Sequence, residues 1–343
     1  MTEKNIILTG GCGFIGSHTC VLLLENNYIV YIIDNLYNSN KNIIDKIKQI
    51  CPEQLKNLHF YYCDLCNYGE LYKVFKDINK IDAVIHCAGL KSVKESVSLP
   101  LLYYQNNIVS TINLLQVMKE FHCFTLLFSS SATVYGRLKP PLTETTPIGQ
   151  GITNPYGKTK YMIEEILRDE FHSKKGWRMV LLRYFNPVGS HPSGLIGENP
   201  LGTPNNLMPF VMKVAGKELA KITIYGNDYN TTDGTGVRDY IHVMDVAEGH
   251  LASLDYILKK TEKLDIFNLG SGIGTSVLEM IEIMKEVSGQ EIPYEFGPRR
   301  PGDLAIVYCN PSKANRLLKW KTTRTIHDMC TDLWKYFVTS RNM

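Results

Sequence analysis

The stretch Asn5-Ile-Ile-Leu-Thr9-Gly10-Gly-Cys-Gly13-Phe-Ile-Gly16 decides the fold of this chain. The apolar run from Asn5 to Thr9 predicts a β-strand, and three glycines spaced three residues apart follow it. Gly10 permits a tight turn, Gly13 lets backbone N–H groups approach a pyrophosphate at a helix N-terminus, and Gly16 allows the helix to lie close to the sheet. A strand, a glycine turn and a helix in this order predict a dinucleotide-binding unit.

A carboxylate at the end of the next strand indicates which dinucleotide binds. Asp34 ends a second apolar run, about 20 residues beyond the glycine turn. A carboxylate there can accept hydrogen bonds from both ribose hydroxyls and would repel a 2′-phosphate, and no arginine stands beside it. The sequence therefore favours NAD over NADP.

Short β-rich runs alternate with helical patterns along the first half of the chain, as in a parallel sheet. These strands are apolar on both faces, so helices must cover both sides in a doubly wound, Rossmann-type α/β fold. The predicted strands are Asn5–Thr9, Ile29–Ile33, Leu58–Tyr62, Ala83–His86, Thr125–Phe128 and Val180–Arg183.

From Asn186 onward, segments rich in glycine and proline separate shorter elements. This texture predicts a smaller, loop-rich α/β lobe for the substrate. We therefore expect an NAD-binding domain over residues 1–185 that also receives residues 240–270, and a mainly nucleotide-sugar-binding lobe over 186–343, interlaced with the first. At 343 residues the chain exceeds the size at which single cores stop growing, which agrees with two lobes.

Composition excludes several classes of function. The 37 basic and 34 acidic residues leave a net charge of +3, and no basic stripe marks a nucleic-acid surface. No secretory h-region and no apolar run near 18 residues occurs, so we expect a cytoplasmic protein without a membrane partner. The nine cysteines lie mostly in apolar runs and are expected to be reduced.

One cysteine pair, Cys63-Asp-Leu-Cys66, has the C-x-x-C spacing. No second cysteine pair or histidine pair accompanies it, so we expect neither a zinc site nor a redox role. No metal site is predicted elsewhere.

A tyrosine and a lysine four residues apart carry the predicted chemistry. This spacing occurs five times in the chain, but only Tyr156 and Lys160 follow Asn154-Pro155, where proline commonly begins a helix. Apolar residues then recur at helical spacing, which places Tyr156 and Lys160 on one helix face. The run Ser129-Ser-Ser131 supplies a further hydroxyl. The sequence thus predicts a relay of the serine and Tyr156 hydroxyls, assisted by the positive charge of Lys160.

These motifs identify the chain as similar to the extended branch of the short-chain dehydrogenase/reductase superfamily. Within that branch it resembles the UDP-galactose 4-epimerase (UDP-glucose 4-epimerase) family over nearly its whole length. The motifs that carry the resemblance are Ser129-Ser-Ser-Ala-Thr-Val-Tyr-Gly136, Asn154-Pro-Tyr-Gly-Lys158, Arg183-Tyr-Phe-Asn-Pro-Val-Gly189, Asn205-Asn-Leu-Met-Pro209, Tyr225-Gly-Asn-Asp-Tyr229, Asp233-Gly-Thr-Gly-Val-Arg-Asp-Tyr-Ile-His-Val243 and Arg299-Arg-Pro-Gly-Asp303.

The resemblance implies three sets of site residues. The catalytic set is Tyr156, Lys160 and Ser131. The cofactor set is Gly10, Gly13, Phe14, Ile15, Gly16, Asp34, Asn35, Asp64, Leu65, Ala88, Lys91, Asn106, Ser129, Tyr156, Lys160 and Tyr184. The substrate set is Ser131, Tyr156, Asn186, Asn206, Leu207, Tyr225, Arg238, Tyr240, Arg300, Asp303 and Val307, with the arginines on the pyrophosphate and Asp303 on the ribose.

The implied reaction is the interconversion of UDP-galactose and UDP-glucose through a 4-keto sugar and transient NADH. Free tyrosine has a pKa near 10, and bringing it near 7 takes about 4 kcal/mol of phenolate stabilisation. One cation about 4 Å away at an effective dielectric near 20 contributes about that much, so we expect Lys160 and the positive nicotinamide ring to lower the pKa of Tyr156. NAD then acts as a catalyst with no net redox change.

Two other functions stay open at this point. Related nucleotide-sugar 4,6-dehydratases or decarboxylases begin with the same C4 oxidation, but they need an acid/base carboxylate just after the catalytic Ser/Thr, where this chain has Ala132 and Thr133. A non-catalytic NAD-binding sensor or scaffold is the other, and the intact Ser131, Tyr156 and Lys160 argue against it.

The resemblance further implies a homodimer, paired through helices that begin near Tyr104 and Tyr156. It also implies that the residue at Val307 flanks the hexose, where a tyrosine excludes acetamido sugars. Because valine is small, we expect UDP-GalNAc and UDP-GlcNAc to be interconverted as well.

Overall fold

The computed structural model describes residues 4–199, 206–300 and 302–341. The strands are β1 (Asn5–Thr9), β2 (Ile29–Asp34), β3 (Leu58–Tyr62), β4 (Ala83–His86), β5 (Thr125–Ser131), β6 (Arg178–Tyr184), β7 (Asn186–Val188), β8 (Ile222–Tyr225), β9 (Val237–His242), β10 (Lys263–Leu269), β11 (Gly274–Ser276), β12 (Tyr294–Gly297) and β13 (Ile306–Val307). The α-helices are α1 (Phe14–Glu25), α2 (Asn42–Ile50), α3 (Tyr68–Ile78), α4 (Val93–Ser98), α5 (Pro100–Tyr104), α6 (Ser110–Glu120), α7 (Pro155–Ser173), α8 (Leu207–Ala215), α9 (Val243–Ile257), α10 (Val277–Ser288), α11 (Ser312–Leu318) and α12 (Ile326–Arg341). Short 3-10 helices occupy Pro52–Asn57 and Ala132–Tyr135, and a π-helical turn, Gln105–Val109, joins α5 to α6.

The larger sheet has seven parallel strands in the order β3-β2-β1-β4-β5-β6-β10. The predicted doubly wound parallel sheet is thereby confirmed. The strand order reverses between β1 and β4, and ligands bind such sheets in the crevice beyond the carboxyl ends of strands at this point.

Helices cover both faces of this sheet, as the apolar strands required. Ile6 and Leu8 of β1 enter one core, with α1, α2, α9 and α11, whereas Ile7 enters the other, with α3, α6 and α7. All three side chains are fully buried. Alternate residues of one strand therefore seal two separate cores, which fixes the sheet between its helical layers.

Three predicted strands have the bounds observed, namely β1, β3 and β4, and the other three are longer than predicted. β5 continues through Ser131 because Ser129, Ser130 and Ser131 pair with Leu182, Arg183 and Tyr184 of β6. Three hydroxyl side chains thus lie on regular strand backbone rather than in a loop.

A smaller four-stranded sheet is built around β9. Its strand β11 pairs with β9 in antiparallel fashion, while β7 and β13 pair with it in parallel. The helices α8, α10 and α12 supply an apolar core for this region, and β8 and β12 form a separate two-stranded ribbon.

The chain crosses from the smaller sheet back to the larger one after β9. Helix α9 packs against α1, and β10 pairs with β6 as the seventh strand of the large sheet. The two sheets are therefore connected by several chain crossings. Among the described residues, no helix has the length and apolar character that a membrane crossing requires.

Candidate active site

The glycine turn is packed so closely that two of its glycines have no room for a side chain. Gly10 has φ +67°, and a Cβ there would lie 2.6 Å from the backbone N of Ala88. A Cβ on Gly16 would lie 2.2 Å from the carbonyl oxygen of Gly10. Gly13 precedes α1 with no side chain to cap the helix, and the first turn of α1 holds no acidic residue. The N–H groups of that turn are left to an anionic ligand.

The turn forms one end of a cleft of about 330 Å³ at the carboxyl ends of the large sheet. Every predicted cofactor residue lines this cleft: Gly10, Gly13, Phe14, Ile15, Gly16, Asp34, Asn35, Asp64, Leu65, Ala88, Lys91, Asn106, Ser129, Tyr156, Lys160 and Tyr184. The structure thus brings together residues from six strand ends, two α-helices and the π-helical turn. Their roles toward a cofactor remain predictions.

Asp34 lies at the end of β2 with its carboxylate tied to the glycine turn. Its Oδ2 accepts from the backbone N of Cys12 at 3.0 Å. Its Oδ1 accepts from the backbone N of Leu36 at 2.8 Å and from Ser39 Oγ at 3.0 Å. These bonds fix the orientation of the carboxylate toward the cleft.

Helix α7 carries Tyr156 and Lys160, and its start is capped. Asn154 Oδ1 accepts from the backbone N of Gly157 at 2.8 Å, and Pro155 occupies the first helical position. Lys160 is 6% exposed, and its Nζ donates to the carbonyl oxygen of Ser129 at 2.7 Å. Burial lowers the pKa of Lys160 to about 8, and the neighbouring Cys87 and Glu164 oppose that shift.

Ser131 ends β5 and caps the 3-10 helix that follows. Its Oγ accepts from Thr133 N at 3.2 Å and from Thr133 Oγ1 at 3.0 Å. Burial raises the pKa of Tyr156, and a hydrogen bond with Ser131 acts in the opposite direction. We expected Lys160 and a bound nicotinamide ring to lower this pKa. The protein groups alone hold the pKa of Tyr156 above the ordinary value, because burial outweighs the hydrogen bond with Ser131.

Behind the cleft, a chain of buried hydrogen bonds reaches Ser129 from the α9 side of the sheet. Ser129 Oγ lies 3.1 Å from Cys87 Sγ and 2.8 Å from the hydroxyl of Tyr184. That hydroxyl lies 2.5 Å from His250 Nε2, and His250 Nδ1 is 3.0 Å from the carbonyl oxygen of Val246. Burial lowers the pKa of His250 to about 4, so the imidazole is neutral near pH 7.

The π-helical turn places two asparagines beside the loop after β4. Asn107 Oδ1 accepts from the backbone N of Leu90 at 2.8 Å, and its Nδ2 donates to Thr159 Oγ1 at 3.1 Å. Asn106 Nδ2 donates to Asn107 Oδ1 at 3.0 Å. Asn107 thereby ties the loop to helix α7 and leaves Asn106 at the cleft.

Apart from Ser131 on β5 and Tyr156 on α7, the predicted substrate residues lie in the smaller lobe. Asn186 of β7 donates to the carbonyl oxygen of Asp239 at 2.9 Å, and the neighbouring Tyr240 is 4% exposed. Asn206 immediately precedes α8, which Leu207 begins. Val307 of β13 is in register with Arg238 and packs beside the buried cluster that contains Val134, Tyr135, Leu142 and Phe185. Asn205 and Pro301, which belong to the motifs quoted above, lie outside the described residues.

Two of the predicted arginines share one carboxylate. Arg238 Nη2 donates to Asp303 Oδ1 at 2.8 Å, and Arg300 Nη2 donates to Asp303 Oδ2 at 2.8 Å. The Arg300 guanidinium lies 5.3 Å from the ring centroid of Tyr225. Asp303 therefore neutralises part of this cationic site.

Sequence reasoning missed two residues in these places. Glu198 forms an ion pair with Lys91 at 2.8 Å and accepts from Asn206 Nδ2 at 3.1 Å, so it links a predicted cofactor residue to a predicted substrate residue. The hydroxyl of Tyr229 is buried with no hydrogen-bond partner among the described residues. Tyr229 stands in a motif that we quoted, whereas nothing in the loop around Glu198 indicates its role.

Comparisons with known proteins find one matching family model and relatives of similar sequence. Residues 7–333 match the model of a family described as GDP-mannose 4,6 dehydratase. UDP-glucose 4-epimerase 2 of Arabidopsis thaliana is 52% identical over 334 residues, which cover 97% of this chain and 95% of that protein.

Solved structures agree in fold. The UDP-glucose 4-epimerase of Bifidobacterium longum, in complex with NAD+ and UDP, superimposes with a TM-score of 0.94 at 47% identity and covers 99% of both chains. The UDP-Glc/GlcNAc 4-epimerase of Campylobacter jejuni has a TM-score of 0.84 at 33% identity, covering 98% of this chain and 100% of that one.

Proposed function

This chain belongs to the UDP-glucose 4-epimerase family, and we propose that it interconverts UDP-galactose and UDP-glucose with NAD as a bound catalyst. The observation that carries the proposal is the shared cleft in which Tyr156 and Lys160 face the glycine turn. Proteins named UDP-glucose 4-epimerase match this chain over nearly their whole lengths in sequence and in structure.

Dehydration is the competing reaction, because the matching family model is described by a dehydratase. Elimination of water from the 5,6 positions of a sugar needs a second acid/base group beside the C4 base. Ala132 and Thr133 follow Ser131 in the 3-10 helix and offer no carboxylate there. The epimerase reaction needs none.

The cleft fits a dinucleotide on structural grounds. A side chain on Gly13 would meet only the carbonyl oxygen of Gly10, at 3.2 Å, so the space beyond it is open for a phosphate. Asp34 stands at the far strand end, where a ribose would lie. When bound, NAD supplies the group that accepts a hydride from C4 and returns it to the opposite face.

The catalytic residues divide the remaining work. Tyr156 takes the proton of the C4 hydroxyl and returns it after the 4-keto sugar has turned over in the pocket. Lys160 presents a positive charge to the phenolate, and Ser131 donates a hydrogen bond to the reacting oxygen. Burial raises the pKa of Tyr156 in the protein, and positive charge beside the ring favours formation of the base.

The nucleotide diphosphate is the part of the substrate that is held firmly. We assign Arg238 and Arg300 to the pyrophosphate and Asp303 to the uridine ribose, because guanidinium groups pair with phosphate oxygens in planar geometry. Asn186, Asn206, Leu207, Tyr225 and Tyr240 complete the proposed surface. The hexose is left with few fixed partners, as its rotation requires.

Acetamido sugars are proposed as further substrates. Val307 is small and lies in register with Arg238, at the edge of the proposed pocket. A structural relative of this chain is described as acting on both UDP-Glc and UDP-GlcNAc.

We also propose a homodimer, paired through α5, α6 and α7. These helices expose apolar side chains, including Leu101 at 79%, Ile112 at 38% and Met162 at 39%. Such a face is suited to another copy of the chain. The nine cysteines are free thiols, which supports a reducing, cytoplasmic compartment.

Within the protomer, we assign NAD binding to residues 1–185 together with 240–270 and sugar binding mainly to 186–343. The return of β10 to the large sheet supports this division.

The test is turnover of UDP-galactose by purified protein without added NAD, with mass spectrometry of the bound cofactor. We expect UDP-glucose to form and NAD(H) to be recovered. Formation of a 4-keto-6-deoxy sugar would favour dehydration. Recovery of NADP as the main bound species would overturn the role of Asp34. A protein that retains NAD but forms neither UDP-glucose nor a keto sugar would favour a sensor.

A further inference from the structure

A buried ion pair lies directly beneath the catalytic residues. Glu164 follows Lys160 by one helical turn of α7, and Arg183 lies near the end of β6. Arg183 Nε donates to Glu164 Oε1 at 2.9 Å, and its Nη2 donates to Oε2 at 2.7 Å. The side chain of Glu164 is 0% exposed and that of Arg183 is 1% exposed.

The pair is connected to the strand that carries the catalytic serine. Ser130 Oγ donates to Glu164 Oε1 at 2.6 Å. On one side of Ser130, Ser129 accepts the hydrogen bond of Lys160. On the other side lies Ser131. Glu164 therefore holds the middle residue of the segment whose neighbours contact Lys160 and present the catalytic hydroxyl.

Arg183 reaches the 3-10 helix that Ser131 caps. Its Nη1 donates to the hydroxyl of Tyr135 at 3.0 Å, and that hydroxyl donates to Asn268 Oδ1 at 2.6 Å. Ser130, Arg183 and Asn268 are direct partners across β5, β6 and β10. One polar network thus connects α7, three strands and the helix after Ser131.

Stability alone does not account for this network. Burying two charges costs several kcal/mol of hydration per ion, and well-packed apolar residues of similar volume often serve as well or better. Burial raises the pKa of the Glu164 carboxyl, but the hydrogen bonds and charge of Arg183 outweigh it, so Glu164 is ionised. Apolar replacements would provide packing without directional bonds to Ser130 and Tyr135.

We propose that Glu164 and Arg183 are positioning residues of the epimerase reaction: their ion pair sets the distance between the helix that carries Tyr156 and Lys160 and the strand end that carries Ser131. The buried bonds from His250 and Tyr184 fix Ser129 from the opposite face. Of Ser129, Ser130 and Ser131, it is then Ser131 whose hydroxyl is available to bond the substrate. The proposal rests on the epimerase function above.

Glu164 has a second effect, because its charge also faces Lys160. The groups around the ammonium are Cys87 and His86 at the end of β4, and Glu164 and Tyr156 on α7. Burial lowers the pKa of His86 to about 3 and raises the pKa of the Cys87 thiol to about 11, so both are neutral near pH 8. Cys87 and Glu164 both favour the charged form of Lys160, and of the two only Glu164 is ionised near pH 8.

Glu164 Oε2 also pairs with Arg168 Nη2 at 2.9 Å, and the neighbouring, exposed Glu165 pairs with the same arginine. The experiment therefore compares Glu164→Gln with Glu165→Gln as a matched control. We expect Glu164→Gln to lower kcat by about tenfold or more, since small misplacements of reacting groups have effects of this size. KM for UDP-galactose should stay within about twofold, and the alkaline fall of kcat should move to lower pH. Hydrogen exchange should rise in peptides covering residues 129–135. Glu165→Gln should change none of these.

A folded Glu164→Gln with the kcat and pH profile of Glu165→Gln overturns the proposal. If Glu164→Gln does not fold, Ser130→Ala gives the answer, because it removes one bond to Glu164 without leaving a buried charge. A several-fold lower kcat at unchanged Tm supports positioning, and an unchanged kcat overturns it. An inactive wild-type enzyme would instead refute the epimerase function, and hydrogen exchange would still test the network.

Discussion

Two corners of the proposed active site are held in different ways. At the catalytic corner, formed by Ser131, Tyr156 and Lys160, the lysine is 6% exposed and bonded to the strand end. At the arginine corner, formed by Arg238, Arg300 and Asp303, the Arg300 side chain is 57% exposed. Burial and directional hydrogen bonds fix the first, whereas the charges of the second pair with one another in a partly exposed cluster.

This difference suits the two proposed roles, which are chemistry at the catalytic corner and binding at the arginine corner. Reacting groups must keep their geometry throughout turnover, which a buried and fully bonded network provides. A diphosphate site must exchange its ligand, and in the proposed site Asp303 balances part of the charge of both arginines. Changes at the catalytic corner should therefore act on kcat, and changes at the arginine corner on KM.

The largest expected effect is at the catalytic corner. Tyr156→Phe should lower turnover of UDP-galactose by about 10² to 10⁴-fold, because the ring still packs but the proton acceptor is lost. Steady-state assays would measure this, and cofactor mass spectrometry should show NAD still bound. Retention of more than about a tenth of the wild-type rate would mean that Tyr156 is not the base.

The arginine corner should respond in binding. Arg300→Met should raise KM for UDP-galactose by about 10- to 100-fold with kcat little changed, since hydrogen bonds to charged groups contribute about 1.5–3 kcal/mol. Arg299→Met is the control, because Arg299 is bonded to Asp228 instead. An equal rise of KM in both variants would refute the assignment of Arg300.

Between the two corners, Val307 should control which hexose enters. Val307→Tyr should lower UDP-GalNAc turnover by at least about tenfold while UDP-galactose turnover stays within about threefold, because the larger ring excludes the acetamido group. Competing the two substrates in one reaction gives the ratio directly. No detectable UDP-GalNAc turnover by the unmodified protein would refute this role of Val307.

The effect that is smallest near neutral pH concerns the charge of Lys160. Because burial lowers the pKa of Lys160 from 10.5 to about 8, its positive charge is lost as pH rises past that value, well before a solvated lysine would titrate. We expect kcat to fall above about pH 8, approaching tenfold per unit. Lys160→Arg should flatten this limb because arginine stays charged. A limb that persists unchanged in Lys160→Arg would assign it to another group.

Much of the cofactor region could be predicted because its signals are local. The glycine turn, Asp34 and the Tyr156 helix each follow from a short stretch of sequence, and the structure places them around one cleft. The strand β5 was predicted too short, since serines are typical of loops and only their pairing with β6 shows that Ser129 to Ser131 are on a strand.

Long-range polar contacts could not be predicted. Glu164 and Arg183 are 19 residues apart, and only the sheet brings their side chains together. The available signal was a glutamate between the buried Ile163 and Leu167 of α7. The link from Glu198 to Lys91 spans 107 residues and lies in a loop without a pattern.

The return of the chain from β9 to β10 constrains synthesis of the protein on the ribosome. The seventh strand of the large sheet, Lys263–Leu269, follows β7, β8 and β9 in the sequence and must pair with β6. At about 5–20 residues per second, the nascent chain carries an open β6 edge for several seconds before β10 emerges. Unpaired edges of this kind are prone to aggregation, so slow translation between β6 and β10 should prolong the exposure of β6 to chaperones.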